Sequence, residues 1–169
     1  MKLDVKTDMR AIQRDLKAIP PVIQKSTVSA LNRTIQHVQS QSVKAIANAV
    51  AVPQKIIRQK AKLTKANGWQ LSAKLSMNLL PIPAIKLKPK QNKRGINVAK
   101  QAYPSAFIAS MPSGHQGVFQ RLGQKRLPIQ EVKLAINPPA EHLIGQQLNG
   151  SSAYFKKELE ADLKWCLRR

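Results

Sequence analysis

Residues 20–53 read PPVIQKSTVSALNRTIQHVQSQSVKAIANAVAVP. Apolar or small side chains recur in this stretch every three or four residues, the spacing that places them on one face of an α-helix. The positions are Val28, Leu31, Ile35, Val38, Ser42, Ala45 and Ala49. Pro20 and Pro21 suit the first turn of such a helix, where a missing N–H costs nothing, and Pro53 disfavours helical geometry at Val52. The pattern therefore predicts one long helix that ends near Val52.

The apolar stripe of this helix narrows from branched residues to alanine toward its C-terminal end. Alanine lets the backbone approach a neighbour closely, either inside the fold or in a second subunit. Because so thin a stripe builds little core by itself, we expect Ala45 and Ala49, or adjacent sheet edges, to contact another subunit.

Shorter elements are expected on both sides of the long helix. Upstream, residues 2–6 alternate apolar and charged side chains, as in a short strand, and residues 8–18 are typical of a short helix. Downstream, a second helix is expected from Pro53 to the pair Asn67–Gly68, which suits a left-handed C-terminal cap. It would carry four cations on one face: Lys55, Arg58, Lys62 and Lys65. Complementing the helix dipole would explain only Lys62 and Lys65.

From residue 70 the sequence changes to period-two alternation, with apolar side chains at 71, 73, 75 and 77, which predicts a strand. More short strands are expected at Ile85/Leu87, Ile96/Val98, 107–109, 118–119 and 132–136, the first confined by Pro81 and Pro83 to an edge position or a late start. Ser151 or Ser152 can cap a last helix whose apolar face is Phe155, Leu159, Leu163 and Leu167.

This order of elements predicts an α+β fold, with N-terminal helices including one long helix, a mostly antiparallel sheet of short strands and a C-terminal helix. The length of 169 residues suits a single domain. We expect a helical part over 1–67, a β-rich part over 69–137 and the C-terminal helix over 151–168.

The charge distribution is strongly one-sided. Lys and Arg number 29 against 8 acids, a net charge of +21, and residues 16–130 contain no acid. A surface of one sign repels itself unless something acidic binds it, so nucleic acid, an acidic protein surface or anionic lipid are candidate partners. A solubility device is the alternative, although lysine without glutamate serves that purpose poorly.

Two further basic clusters fall among the predicted strands. Residues 86–95 are expected to form a basic hairpin arm with Pro89 and Gly95 as turn residues and with five cations: Lys86, Lys88, Lys90, Lys93 and Arg94. A third cluster, around Gly123, contains Arg121, Lys125 and Arg126. The arm lacks the aromatic side chains on which single-stranded bases stack, and lysine predominates, so contact with phosphates or carboxylates independent of sequence is favoured over base reading. The alternative is a solvated loop.

No set of residues predicts catalysis, a metal site or a cofactor site. The single Cys166 excludes an internal disulfide, and His37, His115 and His142 lack metal-ligand spacing. No nucleophile elbow or phosphate-binding Gly-Lys-Ser/Thr loop is present. The longest uncharged stretch, 101–120, is broken by prolines and glycines and predicts no membrane span, and the N-terminus lacks the apolar region of a signal peptide. We therefore expect a basic non-enzyme without cofactors.

Several short motifs resemble one known family in their order along the chain. They are Ala30-Leu31-Asn32-Arg33-Thr34, Ile82-Pro83, Gly95-Ile96-Asn97-Val98, Ala106-Phe107-Ile108-Ala109, Gly117-Val118-Phe119-Gln120-Arg121-Leu122-Gly123 and Arg126-Leu127-Pro128-Ile129. Across roughly residues 28–134 the sequence resembles the prophage minor tail protein Z family, the tail-completion proteins of lambda-like tailed phages.

The resemblance implies a structural virion protein of the phage neck or tail, made in the host cytoplasm. It would complete the tail at the head–tail junction with a tail terminator and other neck or tail proteins, and help to place the genome end in the channel. It also implies a homo-oligomeric ring, with six copies to match tail symmetry.

The charge limits how such a ring could use DNA. Six copies would multiply the charge of +21 sixfold, whereas roughly 35 Å of duplex carries only about 20 phosphates. Most cations would therefore meet acidic protein neighbours or solvent anions. The alternative reading is a free cytoplasmic protein that binds nucleic acid without sequence preference through the same clusters.

Overall fold

The computed structural model describes residues 20–168. The strand expected over 2–6 and the helix expected over 8–18 lie outside the described residues. No helix in the described part of the chain is long and apolar enough to cross a membrane.

The long helix, α1, spans Pro21–Val50 and confirms the helix predicted from the 20–53 stretch. Pro20 precedes its first turn, and at its end Ala51 takes a left-handed conformation and donates its N–H to the carbonyls of Ala47 and Asn48. The buried positions follow spacings of four more often than of three: Ser26, Ala30, Thr34, Ile35, Val38, Ser42, Val43, Ile46 and Ala47. The predicted stripe is therefore right in the middle of the helix but wrong at its end, where Ala45 is half-buried and Ala49 is exposed.

The second helix is much shorter than predicted. Helix α2 spans only Gln54–Lys60, and the chain then forms strand β1, Ala61–Thr64, which pairs antiparallel with β2, Lys74–Met77. Alternating apolar side chains favour a strand over a helix here, because Ala61 and Leu63 face inward opposite Met77 and Leu75. Asn67 and Gln70 form a β-bridge that closes a tight turn, so Asn67–Gly68 is not a helix cap.

The middle of the chain forms short antiparallel strands. Strand β3, Ile82–Pro83, pairs with β10, Lys133–Leu134. A three-stranded sheet contains β4 (Lys90–Asn92), β5 (Gly95–Val98) and β6 (Gln101–Pro104), and a second contains β7 (Ala106–Ser110), β8 (Gln116–Arg121) and β9 (Ile129–Glu131). These sheets and the terminal helices confirm the α+β class, with the strands divided among four small sheets.

Two expected strands are wrong in detail. Ile85 and Leu87 lie in a 3-10 helix over Ala84–Leu87, which begins directly after Pro83. Ile136 does not continue a strand either, because it precedes helix α3, Asn137–Asn149, which the sequence prediction omits. Helix α4 spans Ser151–Leu167 and confirms the expected C-terminal helix. The expected serine cap is wrong, because Gly150 precedes the helix and the Ser151 hydroxyl donates to the Leu148 carbonyl.

Two buried clusters form the core. One joins the end of α1 (Val43, Ile46) to Ile57 of α2, Ile82 of β3 and Ala140 of α3. The other lies among the β4–β9 strands and contains residues such as Ile96, Val98 and Val118. Leu87 and Ala99 pack against both clusters, so the 3-10 helix and the β5–β6 turn connect them.

Candidate basic interaction surfaces

The first basic cluster does not lie on one helical face. Lys55 and Arg58 are exposed on α2, whereas Lys62 lies on β1 and Lys65 in the segment after it. On the β1–β2 hairpin, Lys62 lies opposite Ser76, and Lys74 lies opposite Thr64. Lys62 and Lys74 are therefore diagonal neighbours on the exposed face of the hairpin.

Lys60 connects this cluster to the second one. Its Nζ donates a hydrogen bond of 2.6 Å to the Leu80 carbonyl. Burial lowers the pKa of Lys60, and the nearby charge of Lys86 lowers it further. Lys86, the first cation of the arm, therefore lies beside the end of α2. The sequence prediction omits Lys60 and Lys74, although the alternation at 71, 73, 75 and 77 predicted the strand that presents Lys74.

The arm over 86–95 is built from the end of the 3-10 helix, strand β4 and a two-residue turn. Lys88 has a left-handed conformation and donates its N–H to the Ile85 carbonyl, which ends the 3-10 helix. Lys90 pairs with Asn97, and Asn92 pairs with Gly95, so Lys93 and Arg94 occupy the turn. All five predicted cations of the arm are exposed: Lys86, Lys88, Lys90, Lys93 and Arg94.

Gly95 is required at the base of this turn. Its φ of +139° is a conformation that side-chain-bearing residues rarely adopt, and a Cβ would lie 2.2 Å from the Tyr103 carbonyl oxygen. The close approach of β6 thus fixes the position from which the arm projects.

The third cluster surrounds the β8–β9 connection. The guanidinium carbon of Arg121 lies 5.6 Å from the centre of the Phe107 ring, a cation–π arrangement that restrains this side chain. Lys125 and Arg126 lie in an exposed loop that is closed by a hydrogen bond from the Leu122 N–H to the Pro128 carbonyl. The three cations therefore lie at the end of β8 and in the loop that follows it.

The ion pairs among residues 20–168 involve other cations than the predicted contact residues. Arg33 on α1 contacts Asp162 at 2.7 Å and Glu158 at 3.2 Å on α4, and these hydrogen bonds raise the pKa of Arg33. Glu131 contacts Lys133 at 3.0 Å and His115 at 3.3 Å. Within the described residues, the clusters are therefore left with charge that carboxylates of the same chain do not neutralise.

The histidines and the cysteine have ordinary structural contacts. The His37 ring stacks on Tyr154 with centroids 4.1 Å apart, His142 contacts Gln146 at 2.9 Å, and Cys166 Sγ lies 3.5 Å from Ser26 Oγ. No group of three or more His, Cys, Asp or Glu that could hold a metal is found in the described part of the chain.

Comparison with known proteins identifies similar chains. The family model described as prophage minor tail protein Z (GPZ) matches residues 5–169. The chain is 26% identical over 138 residues to a tail completion protein of Escherichia phage N15, a match that covers 75% of each chain. It is 27% identical over 133 residues to tail completion protein Z of Escherichia phage lambda, covering 65% of this chain and 68% of the lambda protein. No solved structure matches with significance.

Proposed function

Because the chain belongs to the prophage minor tail protein Z family, we propose that it is a structural protein of the phage neck or tail that completes the tail at the head–tail junction. The family match over residues 5–169 carries this proposal, and the similarity to two tail completion proteins supports it. The protein would reside in the virion, after assembly in the host cytoplasm.

In this proposed role the protein forms a homo-oligomeric ring. The ring has six copies if it matches the symmetry of a hexameric tail. Ala49 is exposed near the end of α1, and alanine permits close approach of a neighbouring backbone, which supports the Ala45–Ala49 end of α1 as a subunit contact. The three exposed residues of the edge strand β4 offer a second surface for a neighbouring subunit.

The basic surfaces would bind the genome end or acidic rings of the tail terminator and other neck proteins. This part of the proposal is supported by twelve cations that are all exposed: Lys55, Arg58, Lys62, Lys65, Lys86, Lys88, Lys90, Lys93, Arg94, Arg121, Lys125 and Arg126. The duplex that passes through one ring carries far fewer phosphates than the ring has cations. DNA would therefore occupy a minority of these sites, and protein carboxylates most of the rest. Catalysis has no part in this role.

A free cytoplasmic protein that binds nucleic acid without sequence preference is the second candidate. The observation that favours it is the same exposed charge, which would bind duplex phosphates without any neighbouring ring. The two candidates differ in where the protein resides and in its oligomeric state.

Quantitative mass spectrometry of purified virions tests the proposal. We expect the protein in virions at a copy number that is a multiple of six, and we expect tails from a phage lacking it to join heads only after the purified protein is added. If the protein is absent from virions, and if the purified protein is a stable monomer that binds DNA tightly at physiological salt, the second candidate would be favoured.

A further inference from the structure

Trp69 projects from the tip of the β1–β2 hairpin and is 87% exposed, more than the other large apolar side chains found exposed in the described residues. Exposed tryptophan is costly to leave in water and is enriched at the centres of protein interfaces. A single exposed apolar residue is ordinary on a protein surface. The role of Trp69 must therefore be inferred from the turn that carries it and from the charges around it.

The turn that carries Trp69 is internally rigid. Asn67 and Gln70 exchange backbone hydrogen bonds of 3.0 and 3.1 Å. The Asn67 side-chain oxygen accepts hydrogen bonds from the backbone N–H groups of Trp69 at 3.0 Å and Gln70 at 2.7 Å. The backbone of Trp69 is therefore fixed from both sides within four residues.

The turn is also fastened to the long helix. Asn32 on α1 makes two hydrogen bonds with the backbone of Ala66, and Gln24 donates one to the Gly68 carbonyl. Because the backbone is ordered before any partner arrives, binding through Trp69 would cost less conformational entropy than binding through a mobile loop.

The charge around the tip limits what can cover it. Lys65 precedes the turn, and Lys62 and Lys74 lie on the exposed hairpin face below it. The sequence from residue 16 to residue 130 offers no carboxylate to balance them. A partner that buries Trp69 would therefore bring acidic groups to its rim, since unpaired lysines at an interface edge repel a basic surface.

A second copy of the chain fits this requirement poorly. Three of the five carboxylates among residues 20–168 already form ion pairs within the chain: Glu131, Glu158 and Asp162. Residues 1–19 carry five cations against three acids. A different protein is therefore the better source of carboxylates for the rim.

We infer that Trp69 is the anchor of an interface with a different protein, one that offers an apolar pocket for the indole and carboxylates around it for Lys62, Lys65 and Lys74. This inference rests on the proposed function, because it assigns the hairpin tip to an acidic neighbouring ring of the tail and not to DNA. The remaining clusters stay available to the genome end.

The test uses tails assembled by the same phage without this protein, and measures binding of purified protein to them by cosedimentation. We expect Trp69→Ala to weaken binding by about 30-fold or more, as loss of a buried interface tryptophan does, and Trp69→Phe to retain part of the affinity. The double change Lys62→Glu and Lys65→Glu should also weaken binding. The matched control is Leu148→Ala, which removes an exposed apolar side chain from α3.

Circular dichroism and urea unfolding establish that each variant is folded before binding is compared. If the wild-type protein fails to bind the tails, the proposed function is wrong and the inference falls with it. If the wild-type protein binds and Trp69→Ala binds equally well, the inference alone is overturned.

A fluorescence measurement separates a protein partner from nucleic acid. The chain contains two tryptophans, so in a Trp165→Phe variant all of this protein's indole emission comes from Trp69, and subtracting the spectrum of the tails alone isolates it. We expect this emission to shift to shorter wavelength when the tails bind and to stay unchanged when single-stranded or duplex oligonucleotides are added. Strong quenching by the oligonucleotides, as from base stacking, would overturn the inference.

Discussion

The Asn32 side chain on α1 pairs with the backbone of Ala66 as a neighbouring strand would: its Oδ1 accepts the Ala66 N–H at 2.8 Å and its Nδ2 donates to the Ala66 carbonyl at 3.0 Å. Ala66 is only 5% exposed, so few other partners are available to these two backbone groups. One amide side chain therefore satisfies the buried backbone where the β1–β2 hairpin passes the long helix.

Replacing Asn32 should consequently destabilise the protein. Asn32→Ala leaves a buried N–H and a buried carbonyl without their partner, which costs about 1–3 kcal/mol of unfolding free energy. Urea unfolding measures this loss, with Gln36→Ala at an exposed position of α1 as the control. Equal stability of the two variants would show that water replaces the Asn32 side chain at no cost.

A glycine substitution tests the geometry of the basic arm. In Gly95→Ala the new Cβ would collide with the Tyr103 carbonyl oxygen and the backbone would be held at an unfavourable φ. We expect a loss of about 2 kcal/mol or more in unfolding free energy, because backbone and not a flexible side chain must move. Gly123→Ala, where a Cβ meets nothing within 4 Å, should change stability far less. Comparable losses in the two variants would contradict the geometry described for the β5–β6 pair.

The charge of the arm can be removed without disturbing the fold. Replacing Lys88, Lys90, Lys93 and Arg94 together by Gln should leave unfolding free energy nearly unchanged, since exposed charges contribute little to stability. If all four contact duplex phosphates, the slope of log affinity against log salt should become shallower by roughly 3–4 units, equally for unrelated sequences.

Tail completion by the same variant identifies the partner of the arm. An unchanged salt slope with failed assembly would assign the arm to a protein ring. An unchanged slope with normal assembly would show that the arm is a solvated loop.

Glu131 provides a prediction about pH. The hydrogen bond from Lys133 chiefly lowers its pKa, with a further contribution from His115. A carboxyl whose pKa is lowered in the folded state stabilises the fold above its unfolded-state pKa, and this stabilisation is lost as the pH falls through the folded-state pKa. Because both partners of Glu131 are about half exposed, solvent screens the pair, and Glu131→Gln should lower unfolding free energy by only about 0.2–1 kcal/mol at neutral pH.

The difference between Glu131→Gln and wild type should shrink as the pH falls below about 4.3, the ordinary pKa of glutamate. Urea unfolding at pH 7 and at acidic pH measures it. Glu160→Gln, at an exposed position of α4, is the control. A difference that persists unchanged to the lowest pH would mean that the carboxylate charge at Glu131 is not its source.

Local patterns predict the long helix well but not the direction of its buried face. Proline fixed the expected ends, and Ile35, Val38 and Ser42 are buried as predicted. The stripe fails near residue 45 because different elements cover the two ends of α1. Helix α4 contacts the N-terminal part, while α2 and α3 pack on Val43 and Ile46, so the buried face winds around the helix axis.

The length of the second helix was overestimated for a physical reason. Four cations at helical spacing are compatible with a helix, but β1 gains more by placing Leu63 against Leu75 of β2, a contact distant in sequence. Helix α3, by contrast, was predictable: Pro138 and Pro139 follow Asn137 as Pro20 and Pro21 open α1, and apolar side chains recur at helical spacing from Ala140.

The distribution of charge along the sequence identified cations that are exposed, whereas their arrangement in space required the folded chain. The proximity of Lys60 and Lys86 and the diagonal placement of Lys62 and Lys74 depend on strand pairing that no local pattern specifies. The resemblance motif over 30–34 illustrates the same limit. Its Asn32 binds Ala66 and its Arg33 binds α4, contacts 34 and 129 residues away in sequence.

The contacts between α1 and α4 also constrain the timing of biosynthesis. Ser26 meets Cys166 and Arg33 meets Asp162 across separations of 140 and 129 residues. A ribosome that has made α1 must therefore synthesise the whole β-rich middle before the covering helix exists, and contacts so distant in sequence slow folding. Nascent chains that stop before residue 150 lack α4, so they would expose the face of α1 and attract chaperones and proteases.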